Sequence, residues 1–591
     1  MTEDKNTKRY IVNRTKLNQP LPWNTLIAFG FGGLIPIALF NVAGQLISLI
    51  GNIGLGLSAF WLGVILIIPR LWDAISDPLI GHISDNYRSR WGRRRPFILV
   101  GGIAVALSFV LMWWVPKGTF VQSLFPSEQA YTWFQLLFIL TGLLIFYTSC
   151  TVFEIPHGAL GMGMTKDSHE RTKLFSAKSF LGNLFAMGTP WLFYLANLKI
   201  FKGTGGNEVD GMRYVSIMIA IVLIPMSIWW FFALKEANEE KISKQKKSKF
   251  WEEMKRTLSN KTFLKLVIII FTLAMGFNFV GLFNYYISIY YLFGGDKVMA
   301  GSLLGISGTV WAITGLLAVI PLNIISKKIG KKHTLILAIL LMSSAQLSKI
   351  FCYNPNLPYL VLIPTILLSA GMLMFFTLGA SMVGDICDED ELHTGTRSEG
   401  SYYSVFWWFI KMGTAFASFV TGALLVTTDF DEKRIPKVDQ ISGKIEILSE
   451  EIASEIPASS NTRIELKNSI QNKTQELNEY LIKRQKEFPK DTEFLDNLRF
   501  DLNQALIKFN TISMETPFSD EQKKETLETL KELKKEVSAL SKQSPKTLLI
   551  LRIIEIGLPL ILCIISIFLC FLYPLTEKRC HEIKLALERR D

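Results

Sequence analysis

The stretch RLWDAISDPLIGHISDNYRSRWGRRRP, from Arg70 to Pro96, places charged side chains inside an apolar run that is long enough to cross a bilayer. Arg70, Asp73 and Asp77 are spaced by three and four residues, so a helix carries them on one face. Ser76 lies at the edge of that face. A charge that faces lipid costs about 3 kcal/mol on insertion scales. These side chains therefore need a water-filled cavity, mutual pairing or a bound ion, and the stretch predicts a membrane helix beside a solute pathway.

The rest of the chain repeats apolar runs of similar length. It has 591 residues, of which 49% are hydrophobic, and about 20 apolar residues cross a hydrocarbon core. We predict twelve membrane helices, at 23–48, 56–86, 97–115, 131–157, 174–198, 213–234, 263–293, 298–325, 333–351, 358–385, 400–427 and 547–575. The loops between them show no strand alternation, which excludes a membrane β-barrel. The predicted fold class is an all-α membrane protein.

Basic residues decide the predicted orientation of these helices. Lys and Arg cluster after the second, fourth and eighth helices, whereas the alternate short loops 49–55 and 352–357 carry almost no positive charge. By the positive-inside rule, both termini are cytoplasmic. Residues 1–22 lack the pattern of a cleaved signal peptide, so we expect the first helix to remain in the mature protein. The net charge of +12 lies beside helix ends, where it faces lipid headgroups, and we expect no nucleic acid partner.

The twelve helices divide into two halves of six. We predict a cytoplasmic tail 1–22, a six-helix half 23–234, a cytoplasmic linker 235–262, helices seven to eleven at 263–427, a polar insert 428–546, helix twelve at 547–575 and a cytoplasmic tail 576–591. The basic turn GHISDNYRSRWGRRRP after the second helix has a counterpart in PLNIISKKIGKKH after the eighth. Such parallel repeats are typical of transporters whose substrate site lies between the halves near the bilayer midplane.

The insert 428–546 between helices eleven and twelve contains amphipathic patterns. Apolar residues recur at spacings of three and four from Val438 to Ile452 and from Leu527 to Leu540. We therefore predict helices that pack as a hairpin, a coiled coil or a small bundle. By the topology count, this insert lies outside the cytoplasm. Two interpretations stay open, a solvated helical elaboration and a module that docks a surface protein.

The paired acids of the second helix predict a cation site. Two adjacent carboxylates suit a sodium ion, which prefers hard oxygen ligands, or a proton shared by their mutual repulsion. We favour sodium over a proton. The alternative is structural, with Arg70 and Asp73 forming an ion pair that holds helices together while Asp77 lies at the interface.

Further charges occur in the fourth and eleventh helices. Thr151 and Glu154 lie in an apolar run, and a sugar hydroxyl bonded to Glu154 would form a charge-assisted hydrogen bond. Lys411 is a lone charge in the eleventh helix, and we expect it to reach acids of the other half. A structural alternative pairs Glu154 with Lys178 or Lys411. We expect His157, next to a proline, to be a hydrogen-bonded residue near a helix end rather than a proton relay.

Enzymatic chemistry has little support. No nucleotide loop of the GxxxxGK[ST] type, no Ser/His/Asp pattern and no HExxH motif occurs. The six cysteines lack metal-ligand spacing. We therefore predict a protein that is not an enzyme, with no cofactor and no metal other than a transported cation.

Three motifs in order resemble one known family. RLWDAISDPLIGHISDNYRSRWGRRRP, FEIPHGAL and DICDEDELHTGTRSEGSYYSVFWWFIKMGTAF are similar to the glycoside-pentoside-hexuronide:cation symporters of the major facilitator superfamily, which are melibiose-permease-like. The resemblance covers both halves and excludes the insert. It implies a twelve-transmembrane-helix major facilitator fold, alternating access, and symport of a sugar or oligosaccharide with Na⁺ or H⁺.

The resemblance also implies roles at matching positions. The implied cation ligands are Asp73, Ser76, Asp77, Thr151 and Glu154, and the implied substrate residues are Glu154, Lys178, Phe376, Lys411 and Asn41. Gly158 stands where the family has a tryptophan that stacks on galactosides, which argues against galactoside as the sugar. We further expect a cytoplasmic latch of ion pairs at Asp85, Arg93, Arg94, Arg95 and Arg397.

The expected partners are a small-molecule substrate, a sugar by preference, and membrane lipid. We expect a monomer in the plasma membrane, which is the inner membrane if the source is Gram-negative. Two alternatives stay open: a lysolipid or drug carrier of the same superfamily, and a transporter-like scaffold whose insert docks a surface protein.

Overall fold

The structure is a computed structural model of the chain. It describes residues 21–87, 89–164, 168–235, 255, 257–394, 399–454, 460–512 and 520–590. Throughout these ranges the regular structure is helical, and they contain no strand. The predicted tail 1–22, apart from its last two residues, most of the predicted linker 235–262, and Arg397 lie outside the described residues.

The described residues before the predicted linker form α-helices and one π-helical turn. They are α1 (Trp23–Phe31), a π-helical turn (Leu34–Leu39), α2 (Phe40–Leu55), α3 (Ala59–Asn86), α4 (Arg95–Trp113), α5 (Thr119–Ser123), α6 (Glu128–Gly163), α7 (Ser168–Ala186), α8 (Thr189–Asn197), α9 (Lys199–Lys202) and α10 (Glu208–Ala233). Ser127 caps α6, because its side chain accepts a hydrogen bond from the Ala130 amide.

The described residues after the predicted linker form α-helices, one π-helical turn and two 3₁₀ turns. They are α11 (Lys261–Tyr286), a π-helical turn (Ile287–Leu292), α12 (Lys297–Cys352), a 3₁₀ turn (Pro358–Val361), α13 (Leu362–Thr394), α14 (Glu399–Thr427), α15 (Arg434–Ala453), α16 (Ser460–Glu487), a 3₁₀ turn (Pro489–Asp491), α17 (Thr492–Asn510), α18 (Asp520–Ala539), α19 (Pro545–Phe571) and α20 (Glu577–Arg590). Asn260 caps α11 and Asp296 caps α12 through side chains that accept main-chain amides.

Eleven helical segments of the described chain are long and apolar enough to cross a membrane. The predicted fifth helix, 174–198, is interrupted rather than continuous, because α7 ends at Ala186 and α8 begins at Thr189. Gly188 and Pro190 lie at this break. Proline has no main-chain N–H, so inside a continuous helix it would remove a hydrogen bond. The eighth and ninth predicted helices both lie in α12, which turns at Gly330 with a φ of 78°.

The helices form two compact units. The first consists of Met1–Gly44, Ile68–Thr189 and Ser216–Met254, and the second of Gln45–Ile67, Pro190–Val215 and Lys255–Asp591. The boundary crosses α2, α3, α8 and α10. One end of each of these helices therefore belongs to the unit that contains the second half and the insert.

In the first unit, α4 packs along α6 and α1 packs against α7. The approach of α4 to α6 requires glycine, since a Cβ added at Gly101 would lie 2.6 Å from the main-chain nitrogen of Phe153. A Cβ added at Gly142 would lie 3.0 Å from the Cα of Met112. Small residues at such positions let membrane helices pack backbone to backbone.

In the second unit, α11 packs against α14 and α19, and α12 packs against α13. The insert contributes four helices, α15 to α18, which share one apolar core. Both apolar stripes noted in the sequence line this core: Val438 is 1% exposed and Leu530 is fully buried. Heptad-like spacing thus produces a helical bundle with its own interior.

Candidate functional site

Helix α3 buries a charged cluster within the first unit. Arg70, Asp73 and Ser76 are 5%, 3% and 2% exposed. The Nη1 atom of Arg70 donates to Oδ2 of Asp73 at 3.2 Å. The guanidinium carbon lies 3.7 Å from the ring centroid of Phe40 and 4.1 Å from that of Tyr147. One acid and two aromatic faces therefore stabilise the buried arginine through an ion pair and cation–π contacts.

Helix α6 completes this cluster from the other side. The hydroxyl of Thr151 donates to Oδ1 of Asp77 at 2.8 Å. One turn away, the indole nitrogen of Trp72 donates to the hydroxyl of Thr148 at 2.9 Å. Thr151 is buried and Asp77 is half-buried. Oxygen atoms from two helices thus meet around Asp77, the chemistry that an alkali cation prefers.

The hydroxyl of Ser76 is buried without a hydrogen-bond partner among the described residues. Buried polar atoms are nearly always paired, so an orphaned oxygen here needs a reason such as a bound ion. Ser76 lies on α3 between Asp73 and Asp77. Its oxygen therefore fits the donor set of a cation site.

A second ion pair links α6 to α7. The Nζ atom of Lys178 donates to Oε1 of Glu154 at 2.6 Å, which is the pairing that the sequence left open. Lys178 is buried, whereas the side chain of Glu154 is 32% exposed. The Oε2 atom of Glu154 has no partner in the described part of the chain. A carboxylate with one paired and one unpaired oxygen is suited to accept a hydrogen bond from a polar solute.

The other predicted substrate residues are Asn41, in the first unit, and Phe376 and Lys411, in the second. Asn41 is exposed, and its amide donates to the carbonyl of Ile37 at 2.7 Å. Phe376 and Lys411 belong to the second unit, where the ring of Phe376 lies 4.8 Å from that of Phe375. Their approach to Glu154 stays a prediction.

The structure describes only part of the predicted cytoplasmic latch. Arg94 donates to the carbonyl of Ala159 at 2.7 Å, and the Nε atom of Arg95 donates to the carbonyl of Phe231 at 2.9 Å. Both arginines bind main-chain oxygens, of α6 and α10, where helix carbonyls attract positive charge. Their predicted ion pairs stay a prediction. Arg93 is half-buried, and its role in the latch stays a prediction.

The other two latch residues, Asp85 and Arg397, fall where the structure gives no account of the side chain. The second unit contains an ion pair at its predicted cytoplasmic side that sequence reasoning did not identify, between Lys331 and Asp385 at 2.7 Å. The sequence contains a basic turn at Lys331 and an acidic helix end at Asp385, but no local pattern indicates that these two residues pair.

Two further features were missed or misjudged. The aromatic rings around Arg70 come from α2 and α6, and no sequence pattern linked them to α3. His157 is fully buried, with its ring centroid 4.3 Å from that of Phe29 and 5.1 Å from that of Phe153. Neither of its ring nitrogens has a partner in the described ranges. The expectation of a hydrogen-bonded histidine was therefore wrong: the ring packs between aromatic faces.

Comparison with known proteins identifies the family. The family described as MFS/sugar transport protein matches residues 29–453. The glucuronide carrier protein homolog of Escherichia coli strain K12 is 23% identical over 433 residues, which are 72% of this chain and 88% of that protein. The isoprimeverose transporter of Lactiplantibacillus pentosus is 24% identical over 410 residues, 68% of this chain and 80% of that protein.

A solved structure agrees in fold. The nucleoside transporter NupG is 12% identical, covers 72% of this chain and 95% of its own, and superposes with a TM-score of 0.50. The family and the relatives are transporters, so the chain is a membrane transporter rather than an enzyme. It crosses the membrane several times. The chain therefore belongs to the MFS/sugar transport protein family, of the glycoside-pentoside-hexuronide type within the major facilitator superfamily.

Proposed function

We propose that the protein is a symporter that uses a monovalent cation, sodium in preference to a proton, to drive uptake of a sugar or oligosaccharide by alternating access. The observation that carries the proposal is the oxygen cluster on α3 and α6, in which Asp73, Ser76 and Thr151 are buried and Asp77 is half-buried. The relatives named for glucuronide and isoprimeverose transport support a glycoside-type substrate.

Charge balance supports a single monovalent cation. Counted formally, the carboxylates of Asp73 and Asp77 contribute two negative charges and the guanidinium of Arg70 contributes one positive charge. The cluster is therefore left with one net negative charge, which one sodium ion neutralises. A divalent ion would leave the cluster with one net positive charge. In a region of low dielectric constant, such an uncompensated charge is energetically unfavourable.

The pair of Glu154 and Lys178 supports a polar substrate close to the cation. One of the two helices that hold this pair also contributes to the cluster, since α6 carries both Thr151 and Glu154, three residues apart. Sugar hydroxyls can accept from the ammonium group and donate to the unpaired Oε2 atom. A cation that orders α6 would therefore pre-organise the sugar site, and each ligand would raise the affinity for the other.

Binding to the purified full-length protein tests the proposal. Thermal unfolding would be measured with glucuronides, pentosides and other glycosides, each in sodium chloride and in choline chloride. We expect one sugar class to raise the melting temperature, and to raise it more in sodium. Stabilisation by lysophospholipid with no response to any sugar would favour the amphiphile carrier instead.

A further inference from the structure

The root of the insert, residues 428–546, is held together by contacts within the insert itself. The carboxylate of Asp431 pairs with Arg484 at 2.9 Å and accepts the hydroxyl of Tyr480, while its amide donates to Gln543 at 3.0 Å. Arg434 is 1% exposed and donates to the carbonyl of Lys542. Breaking a buried charge network of this kind is strongly unfavourable, so the start and the end of the bundle are held together where it follows α14 and precedes α19.

Phe430 extends this root to α11. Its ring centroid lies 5.4 Å from that of Tyr286 and 5.1 Å from that of Tyr290, both edge-on. Phe430 is 6% exposed. The insert thus contacts the end of α11 and the π-helical turn that follows it.

The same root also binds the turn between α2 and α3. The Oε2 atom of Glu432 accepts from the side-chain amide of Asn52 at 2.7 Å and from the main-chain amide of Ala59 at 3.2 Å. Asn52 in turn accepts the hydroxyl of Tyr286 at 3.1 Å. Gly56 has a φ of 71°, and a Cβ there would lie 3.2 Å from Pro436. A helix end of the first half is therefore held by the insert and by α11 together.

A buried lysine makes a second attachment. The Nζ atom of Lys297 lies 2.9 Å from both carboxylate oxygens of Glu208 and 2.7 Å from Oδ2 of Asp439. Glu208 begins α10, Lys297 begins α12, and Asp439 lies on α15 of the insert. The side chain of Glu208 is 1% exposed and that of Lys297 is 10% exposed. One ammonium group thus joins the first half, the second half and the insert.

Helix α15 makes a third attachment along the loop before α10. A Cβ added at Gly443 would lie 2.4 Å from the carbonyl oxygen of Gly205, so the helix and the loop touch through their backbones. At the far end of α15, Glu450 pairs with Lys199 and accepts the hydroxyl of Thr204. Together the three attachments hold the turn 52–59 and the segment 199–208 of the first half.

We propose that the insert is a latch on the predicted extracytoplasmic side, which holds these helix ends together and opposes opening of the transporter to the outside. The inference rests on alternating access as stated under the proposed function, because outward opening must separate these ends of the two halves. Glu432, Lys297 and the glycine contact of α15 are the groups that have to part. The insert therefore sets the balance between the outward-closed and outward-open states.

Acid should strengthen the latch. Burial raises the pKa of Glu432 to about 7, against the hydrogen bonds from Ala59 and Asn52 and the positive charge of Lys433. Asp431 raises it further, and Tyr286 faces the same carboxylate across Asn52. Opening would expose the group to water and return its pKa toward 4.5. The closed state therefore binds the proton more tightly, so external pH below about 7 favours closure and higher pH favours opening.

Thiol labelling of the full-length protein in intact cells tests the latch without any need for substrate. Ser288→Cys introduces a thiol at a position that is 1% exposed in the π-helical turn after α11. A membrane-impermeant maleimide would reach it when the outer ends part, and protein without Ser288→Cys gives the background. We expect Lys297→Gln to speed labelling several-fold. The matched control is Lys508→Gln, which removes a lysine that pairs with Glu532 and Glu536 on the bundle surface.

A second variant keeps the test decisive if Lys297→Gln fails to fold. Glu432→Gln resembles the protonated carboxyl, so at pH 8 it should label more slowly than the parent with intact Glu432, and at pH 6 the two rates should converge. Equal rates for Lys297→Gln and Lys508→Gln, or a parent-to-Glu432→Gln ratio that does not change with pH, would overturn the latch. Because no transport is measured, an error in the proposed substrate or cation leaves this result unaffected.

Discussion

Asp77 is the residue on which cation binding should depend most. It accepts the hydroxyl of Thr151, and its charge makes the cluster of Arg70, Asp73 and Asp77 net negative. Asp77→Asn preserves size but leaves a neutral cluster, in which a bound cation would be uncompensated. A loss of about 3 kcal/mol corresponds to about 100-fold weaker cation binding. Sodium-driven sugar accumulation in proteoliposomes should be lost, while Asp501→Asn on the exposed face of the insert should accumulate normally.

Thr151 should contribute less, because its oxygen is a neutral ligand. Thr151→Ala removes one hydrogen bond to Asp77, and one such bond is worth about 1 kcal/mol. The sodium concentration for half-maximal uptake should rise about fivefold to tenfold with little change in maximal rate. Thr141→Ala on the same helix is the control, since Thr141 is exposed and bonds only the carbonyl of Leu137 among the contacts described. An unchanged sodium dependence in Thr151→Ala would remove this residue from the site.

At the scale of helices, the closeness of α4 and α6 gives a stability prediction. A Cβ at Gly101 would lie 2.6 Å from the backbone of Phe153, so Gly101→Ala must push two helices apart. Overpacking of this kind costs about 1–3 kcal/mol, and we expect the melting temperature to fall by several degrees. Gly158→Ala on α6 is the control, because no atom lies within 4 Å of its added Cβ. Equal melting temperatures would contradict the packing described here.

Local sequence patterns predicted much of this architecture, whereas contacts between residues that are distant in the sequence could not be predicted. The charged face of α3 followed from helical spacing alone, and so did the apolar stripes that line the insert core. The rings that stack on Arg70 could not be predicted, since they come from α2 and α6 and nothing local marks them. Glu432 and Asp439 resembled ordinary surface acids of a polar insert, and only folding brings them to Asn52 and Lys297. The break at Gly188 was hidden by apolar residues on both sides.

For the whole molecule, the charge balance makes a prediction about voltage. A cluster with one net negative charge becomes neutral when it binds one monovalent cation, so each cycle with a neutral sugar should carry one positive charge inward. One charge moving through 100 mV changes the free energy by about 2.3 kcal/mol, which is about 50-fold in accumulation. Uptake into proteoliposomes with an imposed potassium diffusion potential measures this. Insensitivity to that potential, for an uncharged sugar, would mean that the cluster does not carry the charge.

Coupling between cation and sugar is the central claim, and binding linkage tests it most directly. Sodium affinity of the purified protein would be measured by calorimetric titration with and without a saturating sugar from the thermal screen, and sugar affinity with and without sodium. The account predicts that each ligand tightens the other by the same factor, about fivefold or more, and that Asp77→Asn abolishes the effect. A sodium affinity that is the same with and without sugar in the unmodified protein would contradict it.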